Sequence, residues 1–217
     1  CRSVLRSWGN RDRMGACEDF LACFRTVLPL PWHLQEARGK CLVHVSDTPS
    51  VFFGDLRRLL EFLEPLCLVH TGDLVDDVKL ALRPGYSRIF RNRLRLLAEV
   101  MSAVPGDRVA IITGNLDLPE VVRSAFPGVM VFEEGIRLSL CGLDVALAHS
   151  LEELPLPPAA FNLFGHDVEV PLDHEGSLYL NGVNGINVIL LEGGTVEVLP
   201  YPPYVDDARC CRRRTGL

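Results

Sequence analysis

No apolar stretch approaches the roughly 18 to 20 residues that a helix needs to cross a bilayer. The best candidate, "LACFRTVLPLPW" at 21–32, is broken by Arg25, Pro29 and Pro31. A membrane-spanning protein is therefore not expected. The stretch 1–20 carries charge but no uninterrupted apolar centre of the secretory-signal kind, so the cytoplasm is the expected location. Lysine is nearly missing: Lys40 and Lys79 are the only two, and the formal net charge is -6. No broad basic surface follows from that balance, and nucleic acid is not the default partner. Among eight cysteines there is no C-x-x-C pair. Cys41, Cys67 and Cys141 lie in or beside apolar runs and are expected as buried free thiols, while Cys210 and Cys211 stand together in an arginine-rich tail, too isolated to form a zinc site unaided. The "GGT" at 193–195 has neither the lysine of a phosphate-binding loop nor dinucleotide-binding spacing.

What remains is a chain of 217 residues, 48% of them hydrophobic, enough for one domain with a substantial core. Residues 1–40 lack clear periodicity and read as an extension, partly helical around 17–27. From 41 to 200 short apolar runs alternate with amphipathic segments, and 201–217 form a C-terminal tail whose arginine-rich end, 208–217, is expected to be mobile. Strands are expected at 41–46, 66–70 and 108–112. Helices are expected at 54–63, with Leu56, Leu59, Leu60 and Leu63 on one face, at 86–103, with Ile89, Leu94, Leu97 and Met101 inward, and at 118–125. Beyond residue 126 helices fade and short strands follow one another, "YLNGVNGINV" at 179–188 reading as a hairpin turn. A βαβ-like first half and a strand-rich second half predict an α/β fold of two packed mixed sheets flanked by helices.

Five of the apolar runs end alike. "VHVSDTP" (43–49), "CLVHTGDLVDD" (67–77), "IITGNLD" (111–117), "VALAHS" (145–150) and "NLFGHD" (162–167) each close on a residue able to bind a metal. In open α/β sheets functional groups gather at the carboxyl ends of strands. The candidate ligands there are Asp47, Asp73, Asn115, His149 and His166. Two carboxylates, an amide oxygen and two imidazoles suit Mn, with Fe or Zn as alternatives, whereas calcium would demand more oxygen. His44 and His70, within apolar strands, read as structural, and His33 and His174 as surface residues.

The order and wording of these blocks resemble the calcineurin-like metallophosphoesterases, in particular their small single-domain phosphodiesterases. The resemblance covers about 41–200. The family pattern runs D-x-H, G-D, G-N-x-D or G-N-H-D, a strand-end His, then G-H-x-H. It is matched by Asp47-Thr-Pro49, Gly72-Asp73, Gly114-Asn115-Leu116-Asp117, His149, and Gly165-His166-Asp167-Val168. The resemblance implies a four-layer α/β/β/α sandwich. It also implies one complete metal set, Asp73, Asn115, His149 and His166, and a second set that has lost its histidines to Pro49 and Val168. Asp47 would stand beside a single ion, and Asp167 or His174 are conceivable substitute ligands. The same likeness makes Asp117 a catalytic residue that orients a neighbouring proton donor, yet the donor position is Leu116.

Two functions follow from that resemblance. One is a slow metal-dependent phosphodiesterase or phosphatase acting on a small phosphate ester or nucleotide. The other is a scaffold of the same fold that binds a protein partner without turnover.

Overall fold

The computed structural model describes residues 28–78, 84–167 and 176–209. The helix expected around 17–27, together with Val168 and His174, lies outside them. Among the described residues ten strands form two sheets. In the first, β1 (Cys41–Val45), β2 (Cys67–His70), β3 (Val109–Ile112) and β4 (Met130–Phe132) run parallel in that order. β9 (Ile186–Leu190) pairs antiparallel with β1 on its other side, and β10 (Val196–Leu199) with β9. The second sheet is β5 (Ile136–Leu140), β6 (Leu143–Leu147), β7 (Phe161–Phe164) and β8 (Leu178–Asn181), antiparallel between β5 and β6 and parallel thereafter. Both sheets are mixed and helices flank them, as the sequence pattern predicts.

Parallel strands need long crossovers, and three helices supply them. α1 (Phe53–Leu63), α2 (Ser87–Met101) and α3 (Pro119–Ala125) follow β1, β2 and β3, and α4 (Pro203–Arg209) follows β10. Leu56, Leu59, Leu60 and Leu63 of α1 are all buried, as their spacing requires. In α2 the buried row is Phe90, Leu94, Leu97 and Met101, while Ile89 is 41% exposed. The spacing of four, three and four from Phe90 follows the helical period better than a start at Ile89, which corrects the expected inner face.

Successive residues of β1 divide between two cores. Cys41, Val43 and Val45 pack beneath the helices, and Leu42 packs between the sheets with Val69, Ile112 and Ile189 against Val145, Leu147 and Leu163. A strand buried on both faces reads as a continuous apolar run, and each such Leu or Val contributes about 1.5 to 3 kcal/mol.

Two expectations are overturned. Residues 179–188 are not a hairpin: β8 bonds to β7 in the second sheet and β9 to β1 in the first, so the segment carries the chain from one sheet to the other. Its turn residues are ordinary, but both flanking strands find better partners far away in sequence. Cys67 and Cys141 are not free thiols but are paired across the two sheets, their Cα atoms 6.6 Å apart and 74 positions apart in sequence. Each sits locally like any core cysteine, and only the stacking of the sheets brings them together. Cys41 is the buried free thiol expected, its pKa pushed up to about 11 by burial.

Candidate metal centre

The carboxyl ends of β1, β2 and β3 in one sheet and of β6 and β7 in the other meet at one edge of the sandwich. The ligand atoms of Asp47, Asp73, His149 and His166 lie there within 4.8 Å of one another. Asn115 joins them through its Oδ1, 3.3 Å from His149 Nε2, which is also 3.8 Å from Asp73 Oδ1. The two imidazole rings stand 4.9 Å apart. Asp47, Asp73 and His149 form a buried floor, and Asn115 and His166 form a solvent-exposed rim.

The backbone leaves each strand sharply. Asp47, Asp73 and His166 have φ of 49°, 51° and 58°, the left-handed region, at a cost of order 1 to 3 kcal/mol each. Such turns aim the side chains back over the sheet edge instead of along the strand. Asp47 Oδ2 accepts from Ser46 Oγ at 2.6 Å and from the His166 amide at 3.2 Å. Asp73 Oδ1 accepts the Leu116 amide at 3.0 Å.

Why "IITGNLD" ends in glycine is a matter of space. A Cβ on Gly114 would stand 2.3 Å from Asp73 Oδ1 and 2.4 Å from the Asp73 nitrogen; one on Gly72 would stand 2.4 Å from His149 Nδ1. Gly165 is equally confined, since a Cβ there would stand 1.9 Å from Ser46 Oγ and 2.6 Å from Asp47 Oδ2. Asp117 accepts the amides of Leu74 at 3.1 Å and Gly114 at 2.9 Å, tying the ends of β2 and β3 together. Burial and the nearby Asp73 charge raise its pKa to about 8.

The donor set fits a divalent cation. His149 Nδ1 donates to the Thr71 carbonyl at 2.8 Å, so the lone pair of Nε2 faces the oxygens of Asn115 and Asp73, an arrangement of converging acceptors. Burial opposes charging His149, but Asp73, Asp47 and the Thr71 carbonyl outweigh it and hold its pKa above the ordinary value.

Beneath lies a layer of neutral histidines. His44 donates Nε2–H to Thr71 Oγ1 at 2.9 Å and accepts from Asn187 at Nδ1. His70 donates to Thr48 Oγ1, which donates onward to the Leu74 carbonyl, and accepts the Gly72 amide. Burial drives both pKa values down to about 3. These are the structural histidines expected, and their partners lie in the loops that carry Asp47 and Asp73 and in β9. His33 is exposed and paired with Glu197.

Asp167 is placed differently from a ligand: its Oδ2 accepts the Leu151 amide at 2.8 Å. Pro49 opens a short 3-10 turn of Ser50–Phe52 and has no donor atom to offer. Sequence reasoning missed Ser46, Thr48, Thr71 and Arg209. Arg209 is 2% exposed, and its guanidinium donates to the Asp47, Ser46 and Val183 carbonyls. No motif contains it.

With this geometry in place, the profile of the calcineurin-like phosphoesterases matches residues 42–213. The chain belongs to that family. Among solved structures it is similar to the Escherichia coli phosphoesterase YfcE, 19% identical over 72% of this chain and 96% of that one, with a TM-score of 0.47. It is also similar to the Pseudomonas putida nuclease MPE, 15% identical over 74% and 87%, with a TM-score of 0.38. A further solved chain is 10% identical over 75% and 99%, with a TM-score of 0.51. At 10% identity that last likeness is one of fold alone. No curated protein sequence matches this one.

Two outcomes follow from the geometry. Gly114→Ala should lower the melting temperature and weaken Mn²⁺ binding at least tenfold by titration calorimetry, while Gly54→Ala, with open space around its Cβ, should leave Mn²⁺ binding unchanged. The metal-free protein should be most stable near pH 6.5. Below that value the unfolded chain takes up protons that His44 and His70 refuse when folded, so stability is lost as pH falls from 6.5 towards about 3. Asp117 acts oppositely, since its folded carboxyl holds a proton that the unfolded one releases, and its contribution is lost as pH rises from 3.8 towards about 8. His149, raised above 6.5, also loses its contribution on the alkaline side. Two histidines outweigh one aspartate below 6.5, and only losses remain above it. A melting temperature that climbs steadily from pH 6.5 to about pH 8 would contradict these assignments.

Proposed function

We propose that this chain is a phosphoesterase working with a divalent transition metal, Mn foremost, held by Asp73, Asn115, His149 and His166 with Asp47 beside them. The supporting observation is the convergence of the ligand atoms of Asp47, Asp73, His149 and His166 within 4.8 Å at the meeting of two sheets, with Asn115 Oδ1 3.3 Å from His149 Nε2. When bound, the ion would polarise a phosphoryl oxygen and lower the pKa of a water. The residues do the rest by position. Asp47, Asp73 and His149 hold the buried side, and Asn115 and His166 leave the outer side open to a phosphate ester arriving from solvent. One ion rather than two is the proposal, because Pro49 brings no ligand atom to the side where Asp47 stands.

Leaving-group protonation is where this chain is weak. Leu116, half-buried next to Asn115, has no proton to give. Asp117 is occupied with the Gly114 and Leu74 amides, so its contribution to catalysis is to fix the two strand ends. The substrates favoured are esters whose leaving group departs without help. No helix among the described residues is long and apolar enough to cross a membrane, and we place the protein in the cytoplasm.

The first test is hydrolysis of bis(p-nitrophenyl) phosphate with Mn²⁺, beside Asp73→Asn. The expected result is turnover that the substitution reduces by at least about 10²-fold. Turnover no higher than that of the variant would remove the enzyme reading and leave the scaffold one. Leu116→His should raise the rate on alkyl diesters, which have poor leaving groups, by about 10² or more while changing the p-nitrophenyl rate little. Equal effects on both substrates would show that proton donation is not what the site lacks.

A further inference from the structure

We propose that Arg209, the last residue of α4, is a positioning residue of the metal centre, holding the Ser46–Asp47 turn in the conformation that brings the Asp47 carboxylate to the other ligands. This inference rests on the metal-dependent reading above. The guanidinium is buried, and its Nε donates to the Asp47 carbonyl at 2.6 Å, one terminal nitrogen to the Ser46 carbonyl at 2.8 Å and the other to the Val183 carbonyl at 3.0 Å. The carbonyls of Ser46 and Asp47 belong to consecutive peptides on either side of the left-handed Asp47. A planar fork gripping both fixes the rotation between them, which a point-like ammonium would not do. Val183 belongs to the crossover between the sheets, so Arg209 also locks the β1 loop against the strand-to-strand passage beside it.

Burying a cation is costly unless it is well compensated. Asp206, the ion-pair partner given by the geometry, is 3.6 Å away with its side chain 61% exposed. The Tyr201 ring lies 4.2 Å from the guanidinium carbon, and Tyr201 Oη donates to the Gly182 carbonyl in the same crossover. Compensation therefore comes from carbonyls, a ring face and the acidic floor next door. A helix anchored only for stability would not need its cation at this turn.

The test compares Mn²⁺ affinity, by electron paramagnetic resonance on the full chain, and metal-free melting temperature for wild type, Arg209→Met and Arg209→Lys. Each is made alone and combined with Asp47→Asn. Arg209→Met should weaken Mn²⁺ binding at least tenfold, Arg209→Lys by a smaller factor, and neither should weaken it further once Asp47 is already Asn. Wild-type affinity in both Arg209 variants, or an equal loss in the Asp47→Asn background, overturns the inference even if melting temperature falls. Should Arg209→Met not fold, Arg209→Lys decides by the same criterion. A wild-type protein that takes up no Mn²⁺ overturns the metal centre itself, and this inference with it.

Discussion

The close approach of the β2 and β3 loops beneath His149 is the constraint on which the site depends. A Cβ on Gly72 would come within 2.8 Å of Gly114 Cα, so two main chains touch where any side chain would separate them. Asp117 closes the same contact from below by accepting one amide from each loop. With the loops in contact, Asp73 and Asn115 lie within reach of one imidazole; opened by the width of a methyl group, they would not. The strained turns at Asp47, Asp73 and His166 are tolerated because parallel strands, buried on both faces, fix their starting points.

Charge explains the layer below. Asp47, Asp73 and Asp117 are all nearly buried within one small volume, and a carboxylate without compensation there is strongly unfavourable. Asp117 avoids it by holding its proton up to about pH 8, and compensation for Asp47 and Asp73 comes from main-chain amides, from His149 and from whatever cation the site holds. His44 and His70 cannot share in it, since burial keeps them neutral. Their function is directional: each uses one ring nitrogen as donor and the other as acceptor, so the tautomer is fixed and the Thr71 hydroxyl and the Gly72 amide are held in place. The Thr71 carbonyl then orients His149, so Thr71 takes the His44 imidazole on its hydroxyl and the His149 imidazole on its carbonyl and connects β1 to the buried floor of the metal centre.

The parts legible in the sequence are those governed by local rules. Strand periods, the leucine face of α1 and the glycines before Asp73 and Asn115 express backbone geometry within a few residues, and so the candidate ligands could be named before any coordinates. The parts that were not legible depend on distance along the chain. The segment at 179–188 has the residues of a hairpin turn, and only the pairing of β8 with β7 and β9 with β1 makes it a crossover. The Cys67–Cys141 pair spans 74 positions. Arg209 stands 162 positions from the Asp47 carbonyl it binds, inside a stretch whose arginines suggest nothing but solvation.

An asymmetry of exposure connects this architecture to its chemistry. The side chains that fix the ligands, Ser46, Thr71, Asp117 and Arg209, act from the buried side, joined by the Leu116 and His166 main-chain amides, while the side chains of Asn115 and His166 are exposed. Substrate therefore meets a surface already set in place, and little reorganisation accompanies binding. Rigidity of that kind favours stabilising charge that develops on a phosphoryl group, which needs only fixed positions. It does nothing for proton delivery, which needs a group of suitable pKa at the leaving oxygen. Leu116 sits at the position where the family resemblance calls for such a group, so the selectivity of the site should be set by the leaving group of the ester more than by its shape.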